Sequence, residues 1–390
     1  MKSMKGRVAV GLSGGVDSAV TAALLKEQGY EVVGVYLDAW EYEGCEVDEN
    51  RRDALLVASK LKIPFRVLDV KKEYKKRVVD YFFETYKQGL TPNPDILCNS
   101  EIKFGIFYDW AMEKKFDKVA TGHYARMVSG DQLSVGRNLD LKKMFVQRGR
   151  DKRKDQSYFL WKVESSRLEN ILFPLGEWLK SEVRLKAKEL KLSVAEKPDS
   201  MGICFIGDVD VKKMLRERLG EEEGEVVIKV KNVERKIKND LIVGKHRGLW
   251  FYTIGQRGGF EIDKKKLKQL GLHPEKMKPL YVVGKDLEQN RLIVGEREEC
   301  LTTQFSIFNF QFSIREEVLE QLVGRGEVFV RVRNLGELYH VVSIKHHGDD
   351  LLVKVERGVF GVAPGQSAVF YWQWNGVEGD EIVVGGGVVV

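Results

Sequence analysis

A glycine-rich segment near the N-terminus constrains the fold more than any other feature of this 390-residue chain: Gly11-Leu12-Ser13-Gly14-Gly15-Val16-Asp17-Ser18. It lies between an apolar run at 7–12, which predicts a strand, and a helical pattern at 19–28. Glycines let the backbone approach a ligand closely, and N–H groups at a helix N-terminus bind anions. The segment therefore predicts a phosphate site, to which the two serines add hydroxyl donors.

The rest of the first third alternates strand and helix patterns, which is typical of βαβ units. We predict an α/β fold with a doubly wound parallel sheet in residues 1–212. From about residue 224 the pattern changes to short strands separated by turn signals, as in small barrels or sandwiches. We place one small β domain at 213–288 and another at 289–390. The predicted β strands there are 225–230, 249–254, 280–283, 291–294, 328–332, 339–344, 351–355 and 368–372.

Composition excludes several classes of protein. With 64 basic and 58 acidic residues the net charge is +6, which permits RNA binding without demonstrating it. The four cysteines, Cys45, Cys98, Cys204 and Cys300, form no CxxC pair and no zinc-ligand spacing, so a reducing compartment fits best. The sequence shows no signal peptide and no apolar run long enough to span a bilayer. We therefore expect a cytoplasmic protein without membrane association.

The glycine-rich segment lacks the lysine of the Walker pattern, which argues against γ-phosphate transfer by a P-loop. Its core, SGGVDS, instead resembles the PP-loop of ATP pyrophosphatases, whose fold is adenine nucleotide alpha hydrolase-like. Such enzymes cut ATP between the α and β phosphates and leave AMP on the acceptor. The resemblance implies ATP with Mg²⁺ on its phosphates. We expect neither a dedicated metal site nor a tightly bound cofactor.

Two cysteines have settings that suit chemistry. Cys98 follows two prolines in Pro92-Asn93-Pro94-Asp95-Ile96-Leu97-Cys98 and lies close to the start of a predicted helix, a position that lowers the pKa of a thiol. Asp95, three residues earlier, is suited to act as an acid or base on the substrate that the thiol of Cys98 attacks. Cys204 lies in a loop-like segment, 197–207, before a short apolar run. Taken alone, each cysteine is more often a buried packing residue than a catalyst.

Together, the motifs of the chain resemble the tRNA-specific 2-thiouridylase family, MnmA. The motifs occur in the family's order and extend over nearly the whole chain: SGGVDS at 13–18, NPDILCN at 93–99, TGHYAR at 121–126, KDQSYFL at 154–160, ICFIG at 203–207, GLWFYTIGQR at 248–257, APGQS at 363–367 and GGG at 385–387.

This resemblance implies 2-thiolation of uridine 34 in tRNA, with a C-terminal domain that is a β-barrel. ATP would adenylate O2 of the base, Cys204 would carry a persulfide, and Cys98 would be the partner nucleophile. The implied ATP contacts are Gly11, Leu12, Ser13, Gly14, Gly15, Val16, Asp17, Ser18, Leu37 and Gly122. The implied contacts to the target base or tRNA are Asn93, Pro94, Asp95, His123, Lys154, Asp155, Gln156, Arg331, Val332 and Gln366.

The implied partners are tRNAs for Lys, Glu and Gln and a persulfide donor, either a cysteine desulfurase or a sulfur relay protein. We expect a monomer. The chain departs from the family at Val332, where a tyrosine is usual, and at Ala39, where an asparagine is common. Two other interpretations stay open: a PP-loop ligase that adenylates a small carbonyl substrate, and a non-catalytic RNA-binding protein that only holds nucleotide.

Overall fold

The structure is a computed structural model that describes residues 5–39, 47–134, 143–199, 210–229, 240–269 and 273–390. Cys45 and Cys204 lie outside these ranges. The N-terminal strands are β1 (Arg7–Gly11), β2 (Glu31–Asp38), β3 (Phe65–Asp69), β4 (Lys118–Ala120), β5 (Ala125–Ser129), β6 (Met144–Arg148) and β7 (Ile171–Leu172). The helices are α1 (Val16–Glu27), α2 (Val47–Leu61), α3 (Lys71–Tyr74), α4 (Asp80–Lys87), α5 (Pro94–Leu97), α6 (Phe107–Glu113), α7 (Gly130–Ser134) and α8 (Lys180–Glu189).

Five of these strands form a parallel sheet in the order β3-β2-β1-β4-β7. Side chains of β1 alternate between two buried clusters, because successive residues of a strand point to opposite faces. Val8 and Val10 pack with α1, α2 and α8, whereas Ala9 packs with the helices of the other face. The sheet is therefore covered on both faces, which confirms the prediction of a doubly wound α/β domain.

Two π-helical segments lie within the helices of this domain. Lys75–Val79 joins α3 to α4, and Cys98–Ile106 joins α5 to α6. The second of these composite helices therefore runs from Pro94 to Glu113, and Cys98 lies inside it. Pro94 stands at the first helical position, where its missing N–H has no intrahelical partner to lose.

The central β domain contains α9 (Val211–Leu219), β8 (Gly224–Ile228), β9 (Leu241–His246), β10 (Glu261–Ile262), α10 (Lys264–Gln269), β11 (Tyr281–Asp286) and β12 (Arg291–Gly295). Its sheet has the order β10-β9-β8-β12-β11. The boundary predicted at 288 falls in the turn between β11 and β12, so this sheet extends to residue 295. The strand predicted at 249–254 is wrong: Leu249–Phe251 forms a 3₁₀ turn after Gly248, whose φ of 144° interrupts an extended chain.

The C-terminal strands are β13 (Leu301–Phe312), β14 (Val328–Arg331), β15 (Tyr339–His347), β16 (Asp350–Phe360), β17 (Ser367–Trp372) and β18 (Ile382–Val389), with helix α11 (Glu316–Gly324) between β13 and β14. The order β13-β16-β15-β14-β17-β18 closes because β18 also pairs with β13. This closed six-stranded sheet confirms the predicted barrel. The hairpin β5–β6 extends the barrel sheet from β18, where Gln147 pairs with Ile382.

No helix in the described ranges combines the length and the apolar character that crossing a bilayer requires.

Gly386 in β18 brings the barrel close to the N-terminal domain. A Cβ at Gly386 would lie 2.6 Å from the ring of the buried Trp161. We expect Gly386→Ala to lower the free energy of unfolding by about 1–3 kcal/mol, because a packed interior resists an added methyl group. Denaturant unfolding of the full chain measures this change.

Gly324→Ala is the matched control for that substitution. Gly324 is the last residue of α11, is exposed, and has no atom within 4 Å of an added Cβ. Alanine favours helix over glycine, so the control should not lose stability. Equal losses in the two variants would contradict the packing argument at Gly386.

Candidate active site

The glycine-rich loop connects β1 to α1, in the strand–loop–helix order that the sequence predicts. Gly15 is the N-cap residue of α1, and no side chain caps the first turn. The first N–H groups of a helix have no intrahelical acceptors, and the helix dipole makes this end positive. The loop therefore offers backbone donors to an anion such as phosphate.

The two serine hydroxyl groups hold the loop in shape. The backbone N–H of Ser13 donates to Oγ of Ser18 at 3.1 Å, and the two hydroxyl oxygens lie 3.2 Å apart. The hydroxyl of Ser18 donates to the carbonyl oxygen of Gly15 at 3.1 Å. Ser18 is buried and Ser13 is exposed. Ser18 therefore stabilises the turn, whereas Ser13 is accessible to a ligand.

Close backbone approaches explain two of the glycines. Gly14 has φ +77°, and a Cβ there would lie 2.2 Å from the backbone oxygen of Asn50 in α2. A Cβ at Gly122 would lie 2.8 Å from the backbone nitrogen of Ser18. Neither position has room for a side chain. The loop is thus enclosed between the first turn of α2 and the segment that follows β4.

Leu37 lies at the same edge of the sheet as the loop. Gly11 pairs with Val35 of β2, so Leu37 is two residues further toward the carboxyl end of that strand. Ligands of open parallel sheets bind outside the carboxyl ends of their strands. Gly11 to Ser18, Leu37 and Gly122, the predicted ATP contacts, are therefore grouped at one edge of the sheet.

A group of charged side chains surrounds the first turn of α1. The ammonium of Lys180 lies 2.7 and 2.8 Å from the two carboxylate oxygens of Asp17. The hydroxyl of Tyr124 donates to Asp17 at 2.8 Å. Burial raises the pKa of Tyr124 above its ordinary value, and the neighbouring Asp17 carboxylate raises this pKa further. Tyr124 is therefore a hydrogen-bond donor throughout the physiological range.

Asp199 extends this group toward the segment that contains Cys204. Its carboxylate accepts from Lys180 at 2.8 Å and from Lys154 at 2.6 Å, and it also pairs with Arg184. Burial alone would raise the pKa of Asp199, but the hydrogen bonds from Lys154 and Lys180 hold it well below its ordinary value. Asp199 is the last described residue before Cys204, whose predicted role lies outside the described ranges.

The segment with Asp95 and Cys98 is fixed by the barrel. Gln366, in the turn before β17, donates from Nε2 to the carbonyl oxygens of Thr91 at 3.1 Å and Pro92 at 3.0 Å. Asn93, the N-cap of α5, donates to the hydroxyl of Tyr158 at 3.5 Å.

Helix α5 and its continuation carry the two predicted catalytic groups, Asp95 and Cys98. Asp95 stands in the first turn of α5, and Cys98 begins the π-helical segment one turn later with a side chain that is fully buried. The thiol is therefore held by packing in a fixed position, within the second turn of a helix rather than before its start.

Asp155 is enclosed in a buried ion pair between the N-terminal domain and the barrel. Its exposed fraction is 0%, and its Oδ2 lies 3.2 Å from Nε of Arg148 and 3.0 Å from Nη1 of Arg331. Oδ1 accepts from the backbone N–H groups of Gly149 at 3.1 Å and Ser157 at 3.2 Å. A buried carboxylate requires such compensation.

The neighbours of Asp155 differ in exposure. Lys154 is partly exposed, with a side-chain exposure of 39%. The side chain of Gln156 accepts from the backbone N–H of Tyr124 at 3.1 Å. Arg331 and Val332 are both buried, with exposed fractions of 3% and 5%. Direct tRNA contacts by this set stay a prediction.

His123 is also buried, with 6% exposure, against the rings of Phe104 and Phe173. Its Nδ1 lies 2.7 Å from Oγ1 of Thr121. Burial lowers the pKa of His123 well below its ordinary value, and the charge of Lys103 lowers it further. The imidazole is therefore neutral at physiological pH.

Nowhere in the described part of the chain do three or more His, Cys, Asp or Glu side chains group closely enough to hold a metal ion.

Comparison with known proteins places this site in a family. The chain matches the family models described as tRNA methyl transferase HUP domain over residues 6–208, tRNA methyl transferase PRC-barrel domain over 212–296 and aminomethyltransferase beta-barrel domain over 304–389. It is 38% identical to a tRNA-specific 2-thiouridylase MnmA of Streptococcus sanguinis over 97% of this chain and 94% of that protein. It is 40% identical to a protein of the same name from Streptococcus equi subsp. zooepidemicus, over 99% and 95% of the two chains.

The chain belongs to the tRNA-specific 2-thiouridylase family, MnmA. This confirms the resemblance carried by the sequence motifs. The enzyme class is that of tRNA sulfurtransferases. The PP-loop of this MnmA chain is the loop at 11–18 described above.

Sequence reasoning missed several residues of this MnmA site. The sequence analysis does not single out Lys180, Asp199, Tyr124 or Tyr158, although each contacts a predicted site residue: Asp17, Lys154, Asp17 and Asn93, respectively. Lys180 and Asp17 are 163 positions apart, so no local pattern could have paired them. The motif TGHYAR did include Tyr124, and the segment 197–207 did include Asp199.

Removing the charge of Asp155 tests the buried ion pair of this MnmA chain. Asp155→Asn leaves two buried arginines with less compensation, so we expect the free energy of unfolding to fall by about 3–5 kcal/mol. Denaturant unfolding followed by circular dichroism measures the change.

Glu378→Gln is the matched control for Asp155→Asn. Glu378 pairs with Lys152 at 3.0 Å and also joins the barrel to the N-terminal domain, but both side chains are largely exposed. Exposed pairs contribute little, so the unfolding midpoint should stay at the wild-type value. A similar midpoint in both variants would contradict a stabilising role for the buried pair.

Proposed function

We propose that this chain uses ATP to replace O2 of uridine 34 in tRNA by sulfur, producing 2-thiouridine, AMP and pyrophosphate. The observation that carries the proposal is the uncapped glycine loop at 11–18, which offers donors for phosphate without a Walker lysine. It stands at the carboxyl edge of the parallel sheet in a chain whose relatives are named tRNA-specific 2-thiouridylases.

The first step activates the base. O2 of uridine attacks the α phosphorus of ATP, the α–β phosphoanhydride bond breaks, and pyrophosphate leaves. Backbone donors of the loop and the exposed hydroxyl of Ser13 bind the phosphates, while Leu37 and Gly122 contact the nucleotide. O2 is a poor leaving group as part of a carbonyl, whereas an adenylated O2 departs as AMP.

Mg²⁺ neutralises the phosphates when it is bound with ATP. Magnesium sites of this kind use one or two carboxylates together with substrate phosphates and water. Asp17, in the first turn of α1, is the carboxylate of the described chain that fits this requirement. We propose no other resident metal or cofactor.

The second step transfers sulfur. Cys204 carries a persulfide, and its outer sulfur forms the new bond to C2 of the base as AMP leaves. In one route the thiolate of Cys98 attacks the inner sulfur, so the S–S bond breaks and a Cys98–Cys204 disulfide forms, which an external thiol reductant must reopen. In the other route the thiolate of Cys98 attacks the inner sulfur before the outer sulfur reaches the base, so the Cys98–Cys204 disulfide forms, hydrogen sulfide leaves, and this hydrogen sulfide attacks C2 as AMP departs. Asp95, one turn before Cys98, exchanges protons with the base.

We assign tRNA binding to two kinds of residue. Lys154, Gln156 and the segment Asn93 to Asp95 contact the RNA. Asp155, Arg331 and Gln366 hold those segments in place, because Asp155 and Arg331 form a buried pair and Gln366 donates to the backbone at Thr91 and Pro92. Val332 and the neutral His123 contribute shape to the same region.

The RNA itself must change conformation to reach this site. Uridine 34 leaves its stack to approach the loop. Contacts from dispersed lysines and arginines to phosphate should make the affinity depend on salt. We further propose a cytoplasmic monomer that acts on tRNAs for Lys, Glu and Gln and receives sulfur from a cysteine desulfurase or a relay protein.

Nucleotide turnover with defined RNAs tests the proposed function. In the presence of a persulfide donor, we expect Mg-ATP to yield AMP and pyrophosphate with tRNA carrying uridine 34, and at least tenfold less with the same tRNA carrying cytidine 34 or without RNA. Thin-layer chromatography of labelled ATP measures both products. Equal release without RNA would instead indicate an enzyme that adenylates a small carbonyl substrate, and no release in any arm would leave only a nucleotide-holding RNA-binding protein.

The sulfur step has its own test. Cys98→Ser should lower 2-thiouridine formation at least a hundredfold, measured by mass spectrometry of digested tRNA, while AMP release in the first turnover continues. Cys300→Ser is the matched control, because Cys300 is also buried but bonds to the carbonyl oxygen of Val282 in the central domain. Normal thiolation by Cys98→Ser would remove Cys98 from the proposed chemistry.

A further inference from the structure

We propose that Lys285 of the central domain is a positioning residue for the proposed chemistry: its ammonium fixes the chain just before the helix that carries Asp95 and Cys98. The inference rests on the proposed function, since it names a residue that acts through the segment at 91–98. Lys285 belongs to β11, and its Nζ donates to the carbonyl oxygen of Gly89 at 2.6 Å. The central domain thus contacts the N-terminal domain immediately before this segment.

The contact lies at the end of α4, where backbone carbonyl groups have no partner within the helix. Gly89 has φ +73°, and its N–H donates to the carbonyl oxygen of Tyr86 at 2.9 Å. The N–H of Leu90 donates to the carbonyl oxygen of Thr85 at 3.1 Å. These two bonds form the Schellman arrangement, which ends a helix and turns the chain. The ammonium of Lys285 is favoured at this position because the helix dipole is negative there.

The surroundings of Lys285 make this contact firmer than that of a surface lysine. Lys285 is partly enclosed, and burial lowers the pKa of its ammonium to about 8. A buried polar group needs a hydrogen-bond partner, and the carbonyl oxygen of Gly89 supplies it. Leu287 packs over the same turn, since a Cβ at Gly89 would lie 2.5 Å from Cδ2 of Leu287. The central domain therefore holds the turn by packing as well as by the hydrogen bond.

The chain between α4 and α5 is short and stiff. Pro92 and Pro94 each have a φ that the proline ring fixes. Thr91 donates from Oγ1 to Oγ1 of Thr253 in the central domain at 3.3 Å. Its backbone N–H donates to the carbonyl oxygen of Pro364 in the barrel at 2.8 Å. With so few free dihedral angles, a displacement at the end of α4 is passed on to the start of α5.

Position matters here because both predicted catalytic groups follow at once. Asp95 stands in the first turn of α5, and Cys98 comes one turn later. A misplacement of about 1 Å can cost about a hundredfold in rate, even when the altered residue does not touch the substrate. Loss of Lys285 should therefore lower turnover and leave the affinity for tRNA unchanged.

Steady-state thiolation by the full-length protein tests this inference. The formation of 2-thiouridine is measured at varied tRNA concentration, with Mg-ATP and a persulfide donor in excess. For Lys285→Met, which keeps most of the side-chain length, we expect kcat to fall about tenfold or more and KM for tRNA to stay within about twofold. Lys285→Arg retains a cation that can donate to Gly89, so it should recover part of the loss.

Hydrogen–deuterium exchange followed by mass spectrometry gives a second readout that does not depend on activity. In Lys285→Met we expect the backbone amides at 89–91 to exchange about fivefold faster or more, because the turn loses its restraint from the central domain. The amides of β1 should exchange as in the wild type. Lys285→Gln, which keeps a donor without the charge, serves if Lys285→Met fails to fold.

Lys278→Met is the matched control. Lys278 lies in the same domain, and its ammonium is 2.7 Å from Glu296, but both side chains are exposed. This variant removes one ammonium from the central domain without touching the end of α4. Its kcat, its KM and the exchange at 89–91 should equal those of the wild type.

The outcomes separate the inference from the proposed function. A higher KM with unchanged kcat in Lys285→Met would overturn the inference and make Lys285 an RNA contact. Unchanged exchange at 89–91, or equally faster exchange in β1, would also overturn it. If the wild type forms no 2-thiouridine, the proposed function fails, and the exchange measurement alone decides whether Lys285 fixes the segment.

Discussion

The buried carboxylate of Asp155 joins the nucleotide-binding domain to the barrel, and the geometry of both parts depends on it. A carboxylate with no exposed surface is strongly unfavourable unless cations and N–H donors surround it. Arg148 comes from β6 of the N-terminal domain and Arg331 from β14 of the barrel, so the contribution of Arg331 exists only when the two parts are docked. Arg148 also pairs with Glu381 at 2.7 Å, which extends the compensation to the segment before β18.

The consequence reaches the proposed chemistry through the segment at 91–98. Thr91 donates its backbone N–H to Pro364 at 2.8 Å and accepts from Gln366, and both partners belong to the turn before β17. The buried hydroxyl of Tyr158 donates to the carbonyl oxygen of Ser367 at 2.8 Å. The barrel thus positions the helix that carries Asp95 and Cys98. The barrel, for which the sequence predicts only RNA binding, therefore also fixes the position of the proposed catalytic groups.

Sequence could predict the parts of the molecule that local pattern determines. The loop at 11–18, its flanking strand and its helix all lie within the first 28 residues, so the sequence predicts both the phosphate site and the local structure. Strand β13 also carries an alternating pattern, in Phe305-Ser306-Ile307, but the sequence analysis does not predict this strand. Trp250 and Phe251 are aromatic residues, which favour strands, so the sequence predicts a strand where the structure has a 3₁₀ turn.

Pairing across long separations could not be predicted. Asp155 and Arg331 are 176 positions apart, and a motif with Lys, Asp and Gln reads equally well as an exposed RNA contact or as a buried joint. Only the fold decides that Asp155 is enclosed and Lys154 is not. The Lys154-Asp155-Gln156 motif therefore combines two roles: Asp155 stabilises the fold, and the partly exposed Lys154 is accessible to a ligand.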